Sequence, residues 1–261
     1  MTTSEVDQFK TRHADKFAPE GRIFIHIRRG DRIFVGTGCG EPQHLVRALT
    51  DYVRSNPKAL FGAEILHVWS LGVAPYIDEH LQANVGHNSF FMGNPTRAAA
   101  NRGLADYTPI FLSQVPDLFH QRHIDIDVPL IQTSLPDRHG YVILGISVDI
   151  VKAAVTCASL LVAQVNRHMP RVPGDGFLHV DEIDYLVHHD QPLIKDFFYS
   201  LSDRSMYRRF LTPTWDMSHE RVQDFVVVDY TNELMLRVFE KVVCAAERTS
   251  ADESWDLRLR S

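Results

Sequence analysis

The sequence has little cysteine. Cys39, Cys157 and Cys244 are its only three, and they lie far apart with no metal-site or disulfide spacing. That pattern suits a reducing cytoplasm rather than a disulfide scaffold. No run approaches the roughly 18 apolar residues a membrane span requires, and the polar start from Met1 to Asp7 lacks a signal-peptide layout. Positive charge is not in excess: 27 Lys and Arg stand against 33 Asp and Glu, a formal net charge of −6. The basic field that nucleic-acid binding needs is therefore missing. No internal repeat is visible. The composition, 44% apolar and 23% charged over 261 residues, is that of a soluble globular protein with a sizeable core and one or two domains.

The chain is organised around Arg32 to Tyr52. Arg32–Val35 is a short apolar run that reads as a buried strand, broken by Gly36, Gly38 and Gly40. Pro42 sits where a helix would begin, and Leu45, Val46, Leu49 and Tyr52 recur at helical spacing. A strand, a glycine turn and a helix form the unit by which open α/β sheets present ligands at strand carboxyl ends. Glycines let the backbone approach a ligand, and a helix N-terminus favours an anion. The spacing matches neither the dinucleotide fingerprint nor the P-loop, since no Gly-Lys-Ser/Thr follows. A tight connection with no ligand fits the same residues.

Further strands are expected at 64–71, 89–92, 107–112, 128–133, 141–144, 160–165, 177–180 and 183–187. Helices are expected at 6–17, 95–102, 113–120 and 148–158, and residues 21–27 as a helix end or an edge strand. Leu160–Val165 reads as a central parallel strand, and 166–176 as a loop rich in Pro and Gly. This alternation predicts an α/β sheet layered with helices. After Gln191-Pro192 the character changes: a short helix over 193–201, a strand at 225–228, a long helix over 232–248 and a polar tail.

Four segments in order resemble the amino-terminal half of the acetyl-CoA hydrolase/transferase family, which includes butyrate- and 4-hydroxybutyrate-type CoA-transferases. They are Gly36–Gln43, Gly103–Ser113, Ser134–Tyr141 with Leu144–Asp149, and Asn166–Asp184. The resemblance covers about residues 30–193 and implies a CoA-transferase-like fold, a mostly parallel sheet between helices. It implies an activity on short-chain acyl-CoA thioesters of the acetate and butyrate class, with coenzyme A as substrate and no metal. In that family a carboxylate attacks the thioester and carries CoA as a glutamyl thioester, which a carboxylic acid or water then discharges. Such chemistry needs a positioned Glu and backbone donors for an oxyanion.

The family's nucleophilic Glu lies in its second half, which this sequence does not show; Glu41 belongs to the glycine turn and is not its match. By the motifs, Gly36, Thr37, Gly38, Gly40, Glu41 and Gln43 would face the acyl and carboxylate pocket. His67 and Ser70 join them from the end of the second strand. Asn101, Asp106 and Tyr107 would hold the loops lining it. Asn166 and Arg171 follow a central strand, and Arg171 is placed to meet a carboxylate or a CoA phosphate, or else is a solvated loop residue. Asp106, Asp137 and His139 also read as turn residues. His188-His189 has no partner at ligand spacing, so no metal is assigned.

Residues 193–236 resemble the start of a GNAT-type N-acetyltransferase, carried by Leu193–Phe210, Met217–Arg221 and Val228–Glu233. Its pyrophosphate turn is absent, because no glycine follows Gly176. The organisation expected is thus an acetyl-CoA hydrolase/transferase amino-terminal domain over 1–193, then a small α+β acetyltransferase-like segment over 194–261. Two functions follow. One is a CoA-transferase or hydrolase, incomplete without a nucleophile that a homodimer or partner chain would bring to an exposed domain face. The other is a non-catalytic remnant that binds CoA or a partner.

Overall fold

The computed structural model describes residues 3–172 and 174–194, all within one unit, Met1–Ile194. The helices and strand expected beyond 194, and the acetyltransferase-like segment, lie outside the described residues.

The elements run α1 (Thr3–Arg12), α2 (Glu20–Phe24), β1 (Arg32–Val35), α3 (Gln43–Ser55), β2 (Ala63–His67), β3 (Val85–Ser89), α4 (Asn94–Ala100) and β4 (Asp106–Tyr107). They continue with α5 (Val115–His120), β5 (Val128–Thr133), β6 (Tyr141–Ile143), α6 (Asp149–Cys157), β7 (Val162–Val165), β8 (Phe177–His179) and β9 (Tyr185–His188). Seven strands form one parallel sheet in the order β4-β3-β2-β1-β5-β7-β9, and β6 and β8 form a separate antiparallel pair.

Both faces of the sheet are covered, which is why its central strands read as continuous apolar runs. Ile33, Val35, Ile65, Val128, Leu130 and Val162 pack with Leu45, Val46, Leu49 and Val53 of α3 and with Ile23 and Phe24 of α2. Their neighbours Phe34, Leu66, Ile131 and Ala163 pack on the other side with Phe119 of α5 and Ile150, Val151 and Ala154 of α6. Period-two alternation assigns each side chain to its layer. This is the expected α/β architecture.

Several boundaries differ from the sequence reading: the helix expected at 6–17 is α1 at Thr3–Arg12, and the strands expected at 160–165 and 183–187 begin two residues later, at Val162 and Tyr185. The strand expected at 89–92 lies at Val85–Ser89. Phe90 and Phe91 attracted the expectation, yet the polar His87, Asn88 and Ser89 are the residues paired with β2, because ladder hydrogen bonds do not require apolar side chains. The strand expected at 64–71 stops at His67, where the chain turns over the glycine turn. The strand expected at 107–112 is only Asp106–Tyr107, an exposed edge.

β1 is the middle strand. From it the chain proceeds outward through β2, β3 and β4, then returns to β5 on its other side and continues to β7 and β9. The order reverses between β1 and β5, and the crevice beyond their carboxyl ends is where open α/β sheets bind ligands. The glycine turn occupies that position.

Candidate functional site

The turn after β1 is held from three directions. The Gly36 amide donates to the Leu130 carbonyl of β5 at 2.8 Å. Gly38, at φ +60°, donates from its amide to the Trp69 carbonyl at 3.0 Å, and the Thr37 hydroxyl accepts from the Trp69 amide at 3.1 Å. The Ser147 hydroxyl donates to the Thr37 carbonyl at 3.0 Å. Gly40 lies so close to Ser147 that a Cβ at position 40 would stand 2.5 Å from that of Ser147. Gly36 and Gly40 are buried, while Gly38 is partly open. Two of the three glycines thus serve close packing within the protein, and Gly38 alone is partly exposed, its amide and carbonyl bonded to Trp69 and Glu41.

Glu41, which closes the turn, is fully buried. Its carboxylate accepts from the Gly72 amide at 2.9 Å, the Leu71 amide at 3.2 Å and the Ser70 hydroxyl at 3.3 Å. Burial pushes its pKa up to about 7, opposed by the donors from Gly72, Leu71, Ser70 and Gln43. Gln43 Oε1 accepts from the Val73 amide at 2.7 Å, and its amide fills the space that a side chain on Gly72 would need. The expected residues Thr37, Glu41, Gln43 and Ser70 are therefore brought together, as a clasp between the loops after β1 and β2.

His67 ends β2 in full burial, with Nε2 hydrogen-bonded to the Tyr76 hydroxyl. Its ring stacks on Tyr76 at 5.5 Å and meets the His87 ring edge-on at 5.3 Å. Burial, with His87 adding to it, holds the His67 imidazole well below its ordinary pKa, and burial brings His87 down to about 4.

Asn166, at the end of β7, is fully buried and donates to Gln132 Oε1 and to the Gln191 carbonyl, each at 2.7 Å. Gln132 in turn donates to the Gly40 and Glu41 carbonyls at 3.4 Å. A polar bridge thus crosses β5 from the glycine turn to the segment after β9.

Arg171 is exposed, as a solvated loop residue would be, yet its guanidinium is also bound to the turn from Ser134 to Tyr141. It donates to Ser134 Oγ at 3.0 Å and the carbonyls of Leu135 and Tyr141 at 2.9 and 3.2 Å, and it pairs with Asp137 at 3.2 Å. Burial tends to raise the Asp137 carboxyl, but the amides of Tyr141 and His139 and the Arg171 charge outweigh it. Asp137 is accordingly a turn residue, accepting from the His139 and Tyr141 amides. Asn101, Asp106 and Tyr107 are exposed. Asn101 follows α4, and the other two form the edge strand, separated from β2 by β3. The structure does not bring these three to the Glu41 cluster.

Sequence reasoning missed Tyr76, His87, Gln132, Gln164 and Ser147. For the two glutamines a signal existed: a polar residue inside each apolar run, in phase with Leu130 and Val162. Tyr76 and His87 lie outside any local pattern, whereas Ser147 stands inside the Leu144–Asp149 motif without having been singled out. His44 and His189 stack at 3.9 Å beside Glu20, but among the described residues no three His, Cys, Asp or Glu side chains converge to hold a metal ion. No helix among those residues is long and apolar enough to cross a membrane. Shallow depressions at Arg54 and Asp78, and at Arg32 and Glu64, are lined by surface ion pairs and lie elsewhere.

Comparison with known proteins gives a consistent picture. The family model for the acetyl-CoA hydrolase/transferase N-terminal domain matches residues 1–195. The chain is 39% identical over 183 residues to a 4-hydroxybutyrate coenzyme A transferase of Clostridium kluyveri, covering 70% of this chain and 42% of that protein. It is 36% identical over 178 residues to a succinyl-CoA:acetate/propanoyl-CoA:succinate CoA transferase of Fasciola hepatica, covering 68% and 36%. The crystal structure of RipA from Yersinia pestis superposes with a TM-score of 0.66 at 26% identity, covering 71% of this chain and 45% of that one. The chain spans about two fifths of the length of these curated relatives.

Proposed function

Because the chain belongs to the acetyl-CoA hydrolase/transferase family, we propose that it forms one wall of the pocket in which a short acyl-CoA thioester exchanges its CoA with a carboxylate. The observation that carries this reading is the glycine turn, set at the β1/β5 reversal and clasped by Glu41 to the loop after β2. The relatives' names, with 4-hydroxybutyrate, succinate, acetate and propanoyl-CoA among them, support a short-chain substrate. In this reading Gly38 and the Trp69–Gly72 loop face the substrate, while Glu41, Gln43 and Ser70 hold them in place.

Glu41 is a poor candidate for the carboxylate that carries CoA, being enclosed and engaged by three donors. The attacking carboxylate comes from residues other than those described, in a further segment or a partner chain, and a homodimer is one way to supply it. The acetyltransferase-like resemblance at 193–236 marks an appended segment without acetyl transfer, and the scattered cysteines support a cytoplasmic setting.

The test is a CoA-transfer assay with acetyl-CoA and butyrate, following butyryl-CoA and free CoA by chromatography. Butyryl-CoA formation that survives Glu41→Gln supports the reading. A CoA thioester found on Glu41 by peptide mass spectrometry of the acyl-CoA-treated chain would make Glu41 the carrier and overturn it.

A further inference from the structure

His189, one residue past β9, meets the start of α3. Its ring stacks on the His44 ring with centroids 3.9 Å apart and planes 7° from parallel. His44 Nε2 is in turn bound to Glu20 Oε1 at 2.6 Å. The His189 amide donates to the Val165 carbonyl at 3.1 Å, and its own carbonyl accepts from Gln164 Nε2 at 3.5 Å. Gln164 also donates to Gln132, which reaches the Gly40 and Glu41 carbonyls. The stack therefore stands at one end of the polar bridge across β5, with the glycine turn at the other.

We propose that the His44–His189 stack is an acid-sensitive latch, which fastens the chain after β9 to the start of α3 while at most one ring is charged and releases it when both are.

The charges around the pair set that limit. Glu20 faces it from α2, and His188 and Asp190 flank His189. Arg167, after β7, holds Asp190 through its amide at 2.8 Å and its guanidinium at 2.6 Å, and Lys10 of α1 faces His188. Two carboxylates thus balance one guanidinium and one ammonium while the three imidazoles are neutral, and protonating all three leaves an excess of three positive charges. A single imidazolium in the stack has Glu20 as its partner and the other ring as its face-to-face neighbour. A second one would stand against the first at stacking distance, with Asp190 already engaged by Arg167, and like charges that close repel.

Burial, with His44 adding to it, holds the His189 imidazole below its ordinary range, against the pull of Asp190 and Glu20. Because the folded pKa is depressed, the contribution of the latch is present above the ordinary value of 6.5 and is lost as pH falls through the lower folded value. Arg167 and Asp190 remain paired throughout, so acid removes the stacked anchor and leaves the ionic one. The latch follows from side-chain geometry and does not depend on the CoA-transferase reading.

The test is nuclear magnetic resonance of the isotope-labelled chain from pH 8 to 5. It follows the His189 ring nitrogens, the nuclear Overhauser contact between the two rings, and the protection of the His189 amide from hydrogen exchange. The latch predicts that the ring contact disappears at the midpoint of the His189 titration. Protection at His189 should fall there by about tenfold per pKa unit of depression, while the Leu186 amide, bound to the Lys16 carbonyl, keeps its protection. His189→Phe and His44→Phe each retain a stacking ring and remove one of the two charges, so protection of residue 189 should no longer depend on pH in either variant. His188→Gln leaves the stack intact and should leave the response in place. A ring contact that persists after both histidines have titrated would overturn the proposal. So would a His189 ring that stays neutral down to pH 5, or an acid loss of protection at residue 189 that survives in both Phe variants.

Discussion

The Glu41 carboxylate accepts the Gly72 amide at 2.9 Å, joining the loop after β1 to the loop after β2 across 31 positions of sequence. With Leu71 and Ser70 it places one buried carboxyl against three donors and, among the described residues, no cation, at the base of the strand-end crevice. Burial therefore competes with hydrogen bonding for its proton, and burial prevails.

Stability should carry the signature of that competition. The folded state raises Glu41 from 4.5 to about 7, so it binds protons more tightly than the unfolded chain between those values. Its contribution is fully present below about pH 4.5 and is lost as pH rises through about 7, amounting to about 3 kcal/mol. His67 and His87 act in the opposite sense, since their folded pKa values are depressed and their contribution is lost as pH falls below 6.5. Urea unfolding of the wild type and of Glu41→Gln across pH 4–8 isolates the glutamate. The difference between them should narrow the wild-type advantage steadily with rising pH, and a pH-independent difference would contradict the burial account.

Gly40→Ala should destabilise the fold by about 1–3 kcal/mol, because the new methyl meets Ser147 rather than open space. Combining it with Ser147→Gly should recover part of that loss. Strict additivity in denaturant unfolding would show that the two positions do not collide.

Arg171→Lys should loosen the turn from Ser134 to Tyr141, since an ammonium cannot reproduce donation to Ser134, Leu135, Tyr141 and Asp137 together. Amide hydrogen exchange at His139 and Tyr141 should quicken, by about 1 kcal/mol of local stability. Unchanged exchange combined with weaker CoA binding would instead assign Arg171 to the ligand.

Asn166→Asp keeps the shape of a fully buried side chain but replaces both of its donor bonds, to Gln132 and to the Gln191 carbonyl, with repulsion. It should cost at least as much as Asn166→Ala, about 2–3 kcal/mol, at neutral pH by thermal or urea unfolding. An Asp variant as stable as the wild type would mean that the bridge to Gln191 contributes nothing.

The strand, turn and helix from Arg32 through α3 were legible because periodicity and glycine placement are local, and the same holds for β5 and β7. The position of β3 was not, since Val85–Ser89 earns its place by pairing with β2 rather than by apolar pattern. At the site, Thr37, Glu41 and Gln43 were singled out by motif, and Ser70 by its place after the second strand. What Glu41 does there depends on residues 29 to 31 positions downstream, and those contacts follow from the parallel β1–β2 pairing. Arg171 was singled out as a charged residue in the loop after a central strand, yet its partners lie 30 to 37 positions upstream, beyond the reach of a local reading.

The central claim is that an acyl-CoA lies against Gly38 and the Trp69–Gly72 loop, and amide chemical-shift mapping with butyryl-CoA tests it most directly. The account predicts saturable shifts at Gly38, Trp69, Leu71 and Gly72, with the Arg32 and Glu64 amides at the opposite strand ends unmoved. Absence of saturable binding, or shifts confined to those opposite ends, would contradict it.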